Sequence, residues 1–327
     1  MVKDIMKLCL FALCIGILPL SVSPDDKEGK KLEDMIKVEL VAEPSEITVG
    51  EPVYLAFTIK NIAKKDIEVS YCFGNPEHIT ILTSKNGKDF SAFMTGVESY
   101  ECTNKNKGKK IIQGDKIITI AHRIIYTSWF DLFYPFKEEG IYFVKIVCGD
   151  VVLNQDVFSE TLTIKVNKTP EKEREILGLL SSKDTRSGGS ALAGVIYYPH
   201  SLSKETTEKA EEVIKKYPES IYTPSLVWGL AQNYWAGGKK VKNDYKKAIP
   251  LFEKFLSICE KKTPSLKDDC LYYLADSYYH LEEFDKAQKL VEELQKSFPN
   301  SYFKKDAENL NKALKEALDK KKKEEKK

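Results

Sequence analysis

Side chains able to attack a carbonyl, take a proton or hold a metal occur in this chain, but their spacing does not assemble a reaction. Gly188-Gly189-Ser190-Ala191-Leu192 comes nearest to a nucleophile elbow, which holds a serine on a tight strand-to-helix turn between two glycines. Leu192 stands where the second glycine is needed and no strand runs into the segment, so it reads as a flexible joint. No glycine-rich loop followed by Lys-Ser/Thr is there to cradle a phosphate, and no dinucleotide fingerprint occurs. The histidines stand apart at His78, His122, His200 and His280, and His122 lies among Ile118, Ile120 and Ile124 at strand spacing, as a core residue would. Without a Cys/His cluster a zinc site lacks its ligands. The paired acids Asp268-Asp269 and Glu282-Glu283 fall in helical patterns and read as solvated faces and first-turn partners of the helix dipole. The expectation is a non-enzyme with no catalytic residue, cofactor or metal.

Composition sets the frame for what positions these residues. The 327 residues carry 51 Lys+Arg against 49 Asp+Glu, are 42% hydrophobic and 31% charged, and include 17 Gly and 13 Pro, as in a globular chain long enough for two domains. Charges of both signs are interleaved to a net of +2, which leaves no basic stripe for nucleic-acid phosphates. Lys3 and Lys7 precede an apolar run from Leu8 to Leu20, and Ser21-Val22-Ser23 follows, so residues 1–23 read as a secretory signal peptide. The run is shorter than the ~20 residues that span a bilayer. Pro24 would be the first mature residue, a poor one for cleavage, so an uncleaved membrane anchor is the alternative. Phe11-Ala12-Leu13 before Cys14 lacks the small residue of a lipoprotein signal.

Two periods divide the rest. From Ile36 to Val166 apolar residues alternate: Ile36, Val38, Leu40 and Ala42; Val53, Leu55, Phe57 and Ile59 against Tyr54, Thr58 and Lys60; Leu162, Ile164 and Val166. Turn signals at Val49-Gly50-Glu51-Pro52, Asn86-Gly87 and Glu139-Gly140 separate them and no helical period intervenes, which predicts antiparallel strands in two stacked sheets over 33–168. Thr48-Val49-Gly50-Glu51-Pro52-Val53 and Glu139-Gly140-Ile141-Tyr142 make this segment resemble bacterial immunoglobulin-like or fibronectin-like envelope domains. After Pro170 the period becomes helical, predicting an all-α domain over 170–318, then a Lys-rich tail, 319–327, whose plain reading is a solvated helix end and whose sharper one is a weak hold on anionic lipid or cell wall. Three joints recur, Tyr217-Pro218-Glu219-Ser220, Thr263-Pro264-Ser265 and Phe298-Pro299-Asn300-Ser301. With Asp268 as repeat position 1, Leu271, Leu274, Ala275, Tyr278, Ala287 and Pro299 fall at positions 4, 7, 8, 11, 20 and 32, as in tetratricopeptide repeats of about 34 residues. Val227, Leu230, Ala231 and Tyr234 repeat the pattern, then Gly237-Gly238-Lys239-Lys240 adds five residues before Ala248. The segment resembles the tetratricopeptide arrays of bacterial outer-membrane assembly lipoproteins and of the periplasmic Tol-Pal partner.

That resemblance implies protein binding. Its groove positions 2, 5, 9 and 12 fall on Ser225, Trp228, Gln232 and Trp235, then on Asp269, Tyr272, Asp276 and Tyr279. Aromatic rings give large contact area at low entropy cost. Packing against neighbouring elements is the competing use of the same rings.

Cysteines extend the reading. In Ile67 to Phe73 the apolar face leaves Cys72 on the other side with Glu68 and Ser70, and Cys102 sits in the polar segment Glu101 to Lys110. Cys148 shares a face with Tyr142, Val144 and Ile146. A Cys72–Cys102 disulfide with Cys148 as a buried thiol is expected in an oxidising compartment. Cys259 and Cys270 flank Pro264 nearly level in a helical hairpin, and the sequence leaves a second disulfide open there.

The fold expected is therefore an antiparallel immunoglobulin-like β-sandwich followed by an α-α superhelical tetratricopeptide solenoid. Its function would be a protein–protein interaction scaffold of the cell envelope, periplasmic or extracellular, with a protein partner, no nucleic acid, and membrane contact only through an uncleaved signal or the tail. An envelope hydrolase with an unrecognised site and a proteinase-inhibitor-like module are the alternatives.

Overall fold

The computed structural model describes residues 34–63, 65–70, 79–93, 109–112, 117–118, 124–126, 136, 138–152, 155–180, 191–197, 199–237, 243–299, 301 and 303–324. The signal segment, the Ser187–Ser190 joint, His78, His122, Cys72 and Cys102 lie outside them.

Among the described residues, twelve strands form the N-terminal β-sheet region. They are β1 (Ile36–Glu43), β2 (Glu46–Thr48), β3 (Val53–Asn61), β4 (Ile67–Ser70), β5 (Ile79–Ser84), β6 (Ser91–Phe93), β7 (Lys109–Ile112), β8 (Ile117–Ile118), β9 (Ile124–Tyr126), β10 (Gly140–Val152), β11 (Gln155–Phe158) and β12 (Leu162–Asn167). One sheet runs β1-β3-β8 with β9 also on β3, the other runs β2-β12-β10-β5-β6 with β11 on β10, and β4 pairs with β7. In the β1–β3 pair Val38 faces Ile59, Leu40 faces Phe57 and Ala42 faces Leu55, so the alternation that marks each strand also fixes the register. Val38, Leu55 and Phe57 of the first sheet share one buried cluster with Ile81, Tyr142, Val144, Ile146, Ile164 and Val166 of the second.

The turn signals act as expected. Gly50 takes φ 85° while Glu51 Oε2 accepts from Thr48 N at 2.9 Å. At the β5–β6 hairpin Gly87 takes φ 73°, and Asn86 Oδ1 accepts from the N–H groups of Lys88 and Asp89, both at 2.9 Å. One expectation is corrected: not every pair is antiparallel, because β2 runs parallel to β12. After β1 the chain crosses at Pro44-Ser45 from the first sheet to the second, and its three-residue strand there falls beside the last strand.

Eight α-helices follow among the described residues: α1 (Glu171–Leu179), α2 (Ala191–Tyr197), α3 (Lys204–Lys216), α4 (Thr223–Ala236), α5 (Tyr245–Lys262), α6 (Lys267–His280), α7 (Phe284–Ser297) and α8 (Lys304–Glu324). Consecutive helices from α3 onward pack as hairpins, and α4 also touches α6, and α6 touches α8, as stacked repeats require. The last helix takes Asp319–Glu324 of the Lys-rich segment into itself.

The three joints share one backbone. Tyr217, Thr263 and Phe298 close their helices at φ/ψ of −131°/60°, −143°/59° and −131°/61°. Each donates its N–H to the residue four before it, at 2.8, 3.0 and 2.9 Å, and each carbonyl accepts from the residue three beyond, namely Ser220, Leu266 and Ser301. Where that third residue is serine its hydroxyl reaches a buried acid in the first turn of an earlier helix: Ser220 donates to Glu173 at 2.7 Å and Ser301 to Asp268 at 2.6 Å. At the middle joint Leu266 replaces the serine, and Pro224 occupies the position that corresponds to Asp268.

The turn between α6 and α7 places Glu282 at φ 61°, a left-handed conformation that L side chains disfavour by roughly 1–2 kcal/mol. Glu282→Gly is expected to raise stability by roughly 0.5–1 kcal/mol in urea denaturation, since glycine removes that penalty and returns part of the gain as unfolded-state entropy. An unchanged or lower midpoint would show that the Glu282 side chain holds the turn.

Sheets and helices meet through Tyr54. The alternation of β3 aims Tyr54 away from the sheet core, yet it is 2% exposed and joins the helical core instead. Its hydroxyl and that of Ser225 on α4 are 2.9 Å apart.

Candidate functional site

Helix α4 is buried on every side over its first two turns, Thr223 to Ala231. Both α4 and α6 are 14 residues long, so the five-residue insertion leaves the first helix of its repeat unaltered. Asp244 N–H donates to the Tyr234 carbonyl at 2.8 Å, which closes the insertion back onto α4, and the Asp244 side chain caps α5 by accepting from Lys247 N at 3.2 Å.

The positions carried onto the groove divide in two. Ser225 is committed to Tyr54, and Trp228 is core, 5% exposed. Trp228 packs on Phe255 at 4.7 Å between ring centroids and on Phe252 and Tyr273 at 5.9 Å each. The expectation that Trp228 lines a binding surface is therefore corrected: the neighbouring helices are close enough to cover it. Gln232, Trp235, Asp269, Tyr272, Asp276 and Tyr279 are half-buried, with part of each side chain open.

Asp276 is the centre of what remains. Trp235 Nε1 donates to its Oδ2 at 2.7 Å, across from α4 to α6, and His280 Nε2 stands 3.6 Å from the same oxygen. The Tyr245 ring stacks on His280 at 4.6 Å and 8°. Burial raises the Asp276 carboxyl above the usual carboxylate range, while the Trp235 N–H and His280 pull it back. Burial, with the Asp276 and Asp306 carboxylates, pushes the Tyr272 phenol up to about 12. Tyr272 stacks on Phe303 at 4.5 Å, and Tyr279 lies 5.9 Å from Phe284.

Tyr273 was not picked out by repeat position, yet it is the hub of the ring cluster, within 4.6 to 5.9 Å of Trp235, Phe303, Tyr272, Phe252 and Trp228. The run Tyr272-Tyr273 is the sequence signal that could have flagged it.

Cys259 and Cys270 are buried thiols rather than a disulfide. Cys259 Sγ donates to the Leu256 carbonyl and Cys270 Sγ to that of Phe252, both at 3.3 Å. Burial, and after it the neighbouring Cys259, push the Cys270 thiol up, so it stays protonated. Cys148 lies on β10, opposite Ile79 and Val157.

Stacked helical hairpins joined by one recurring turn define a helical repeat protein in this half of the chain. Residues 269–301, from the first turn of α6 to the joint serine, match a tetratricopeptide repeat family model. No curated protein matches the chain. Among solved structures, the sporulation control protein Spo0M from Bacillus subtilis aligns at 15% identity over 45% of this chain and 56% of that one, with a TM-score of 0.25. A β-glucosidase from Listeria innocua aligns at 15% identity over 41% and 16%, with a TM-score of 0.23. Native α2-macroglobulin from Escherichia coli, from domain MG7 to the C-terminus, aligns at 9% identity over 85% and 54%, with a TM-score of 0.23. The chain spans less than two thirds of each, and TM-scores this low carry no argument.

Proposed function

We propose that this chain is a non-catalytic protein–protein interaction scaffold of a bacterial cell envelope, exported by its N-terminal signal. A tetratricopeptide repeat implies a protein partner. The partner's peptide or helix lies across α4 and α6 on Gln232, Trp235, Asp269, Tyr272, Asp276 and Tyr279, and the sheet region, read as an immunoglobulin-like sandwich, is a spacer or second docking surface. The observation that carries this reading is the run of half-open aromatic side chains around the half-buried Asp276 carboxylate, since such rings dominate binding hot spots.

The test begins with crosslinking in an envelope extract and measurement of affinity for the recovered partner. Tyr272→Ala and Tyr279→Ala should each weaken binding by ~2 kcal/mol or more with melting temperature nearly unchanged. Normal affinity in folded variants overturns the groove, and turnover of peptide or glycan libraries by the wild-type chain would favour an enzyme.

A further inference from the structure

A second surface stands apart from the groove residues. Helices α3, α4 and α5 enclose an open cleft of about 450 Å³. Its floor is apolar, made by Ile214, Leu230 and Leu251, and four lysines stand around it: Lys215 from α3 and Lys246, Lys247 and Lys254 from α5. The one carboxylate in its lining, Glu211, already accepts from the Tyr234 hydroxyl at 2.5 Å. Lys247 sits 5.0 Å from the centroid of the Tyr234 ring and 3.9 Å from Asp244. Among the described residues no carboxylate lies within ion-pair distance of Lys215, Lys246 or Lys254.

Two departures from what stabilises a helix converge here. The first turn of α5 holds no acid and carries Lys246 and Lys247, where the helix dipole favours negative charge. Pro250 stands inside the same helix, so the Lys246 carbonyl lacks its donor four residues on. Lys246, Pro250 and Lys254, at i, i+4 and i+8, place two of the ammonium groups along one row with the proline between them. Local rules broken together at one surface mark a use other than stability.

We propose that this cleft is a docking site for an acidic peptide segment of a protein partner. Carboxylates of the segment pair with the lysines, and one apolar side chain fills the floor. A flat anionic membrane would meet the lysines but not the floor between three helices. Several separate point charges around an apolar floor also suit a run of carboxylates better than one phosphate.

Fluorescence anisotropy on the full chain tests this with a fluorescein-labelled peptide of alternating Asp and Glu around one Leu, about ten residues long. Binding is expected, weakening with salt as rim charges dictate. The pair Lys215→Glu and Lys254→Glu should lower affinity about tenfold or more, and the neutral pair Lys215→Gln and Lys254→Gln should lower it by a smaller factor. The exposed control Lys305→Glu and the groove variant Tyr279→Ala should leave it unchanged, which separates this site from the groove. Replacing the peptide's Leu by Ser should weaken binding. No binding by the wild-type chain, equal binding by both pairs and wild type, or binding only to phosphatidylglycerol vesicles overturns the proposal.

Discussion

Trp228→Ala is expected to cost about 3–5 kcal/mol of stability, the largest loss of any single truncation discussed for this chain. The indole fills space against Phe252, Phe255 and Tyr273, so its removal leaves a cavity bounded by α4, α5 and α6 that packed rings cannot collapse into. The loss should appear in urea melts as a lower midpoint with an unchanged slope. Tyr279→Ala, on a half-open side chain, should cost far less stability while weakening partner binding. A Trp228→Ala variant as stable as wild type would mean that α5 does not seat on α4 as described.

Gly229→Ala tests a different face of the same helix, about 100° round from Trp228. A Cβ at Gly229 would meet Val195 Cγ1 and the Val195 carbonyl oxygen, both at 2.3 Å. The carbonyl is backbone, so α2 itself must move. In an exposed helix this substitution would gain about 1 kcal/mol from helix propensity. Overpacking costs about 1–3 kcal/mol, so the net effect is expected to be a loss, concentrated in α2. Hydrogen exchange should show faster exchange of residues 191–197 with α6 and α7 unaffected. A gain in stability would place α2 away from α4.

Residues 228 and 229 also show what the linear pattern could carry. The repeat frame located both helices of the α6–α7 hairpin and all three joints, because each joint needs proline to end a helix and the two helices need small side chains where they cross. Strand alternation likewise placed Val38, Leu55, Phe57, Ile164 and Val166 inward. Neither pattern says which face of an element meets a neighbour from elsewhere in the chain. Trp228 fits a groove position by count and is covered by α5 and α6, and Tyr54 fits an outward position on β3 and is covered by α4.

The candidate site divides the same way. Aromatic spacing picked out Trp235, Tyr272 and Tyr279 along α4 and α6, but the hydrogen bond from Trp235 to Asp276 and the hub at Tyr273 arise from helices 41 residues apart in sequence for the first pair. The lysine cleft was not visible at all, since Lys215 and Lys254 come together only when α3 and α5 pack on either side of Tyr234.

The sequence by itself determined the two periods, the turns between strands, the repeated joint and the residue types available for binding. These follow from local sterics, from which backbone angles glycine and proline permit and from alternation of apolar residues. Tertiary structure alone decided which aromatic rings are core and which stay half-open, that Cys259 and Cys270 remain thiols, that β2 joins β12 in parallel, and that four lysines surround one cleft. Each of those depends on the distance between elements remote in the chain, and burial, hydrogen bonding and charge pairing are all set by distance in space.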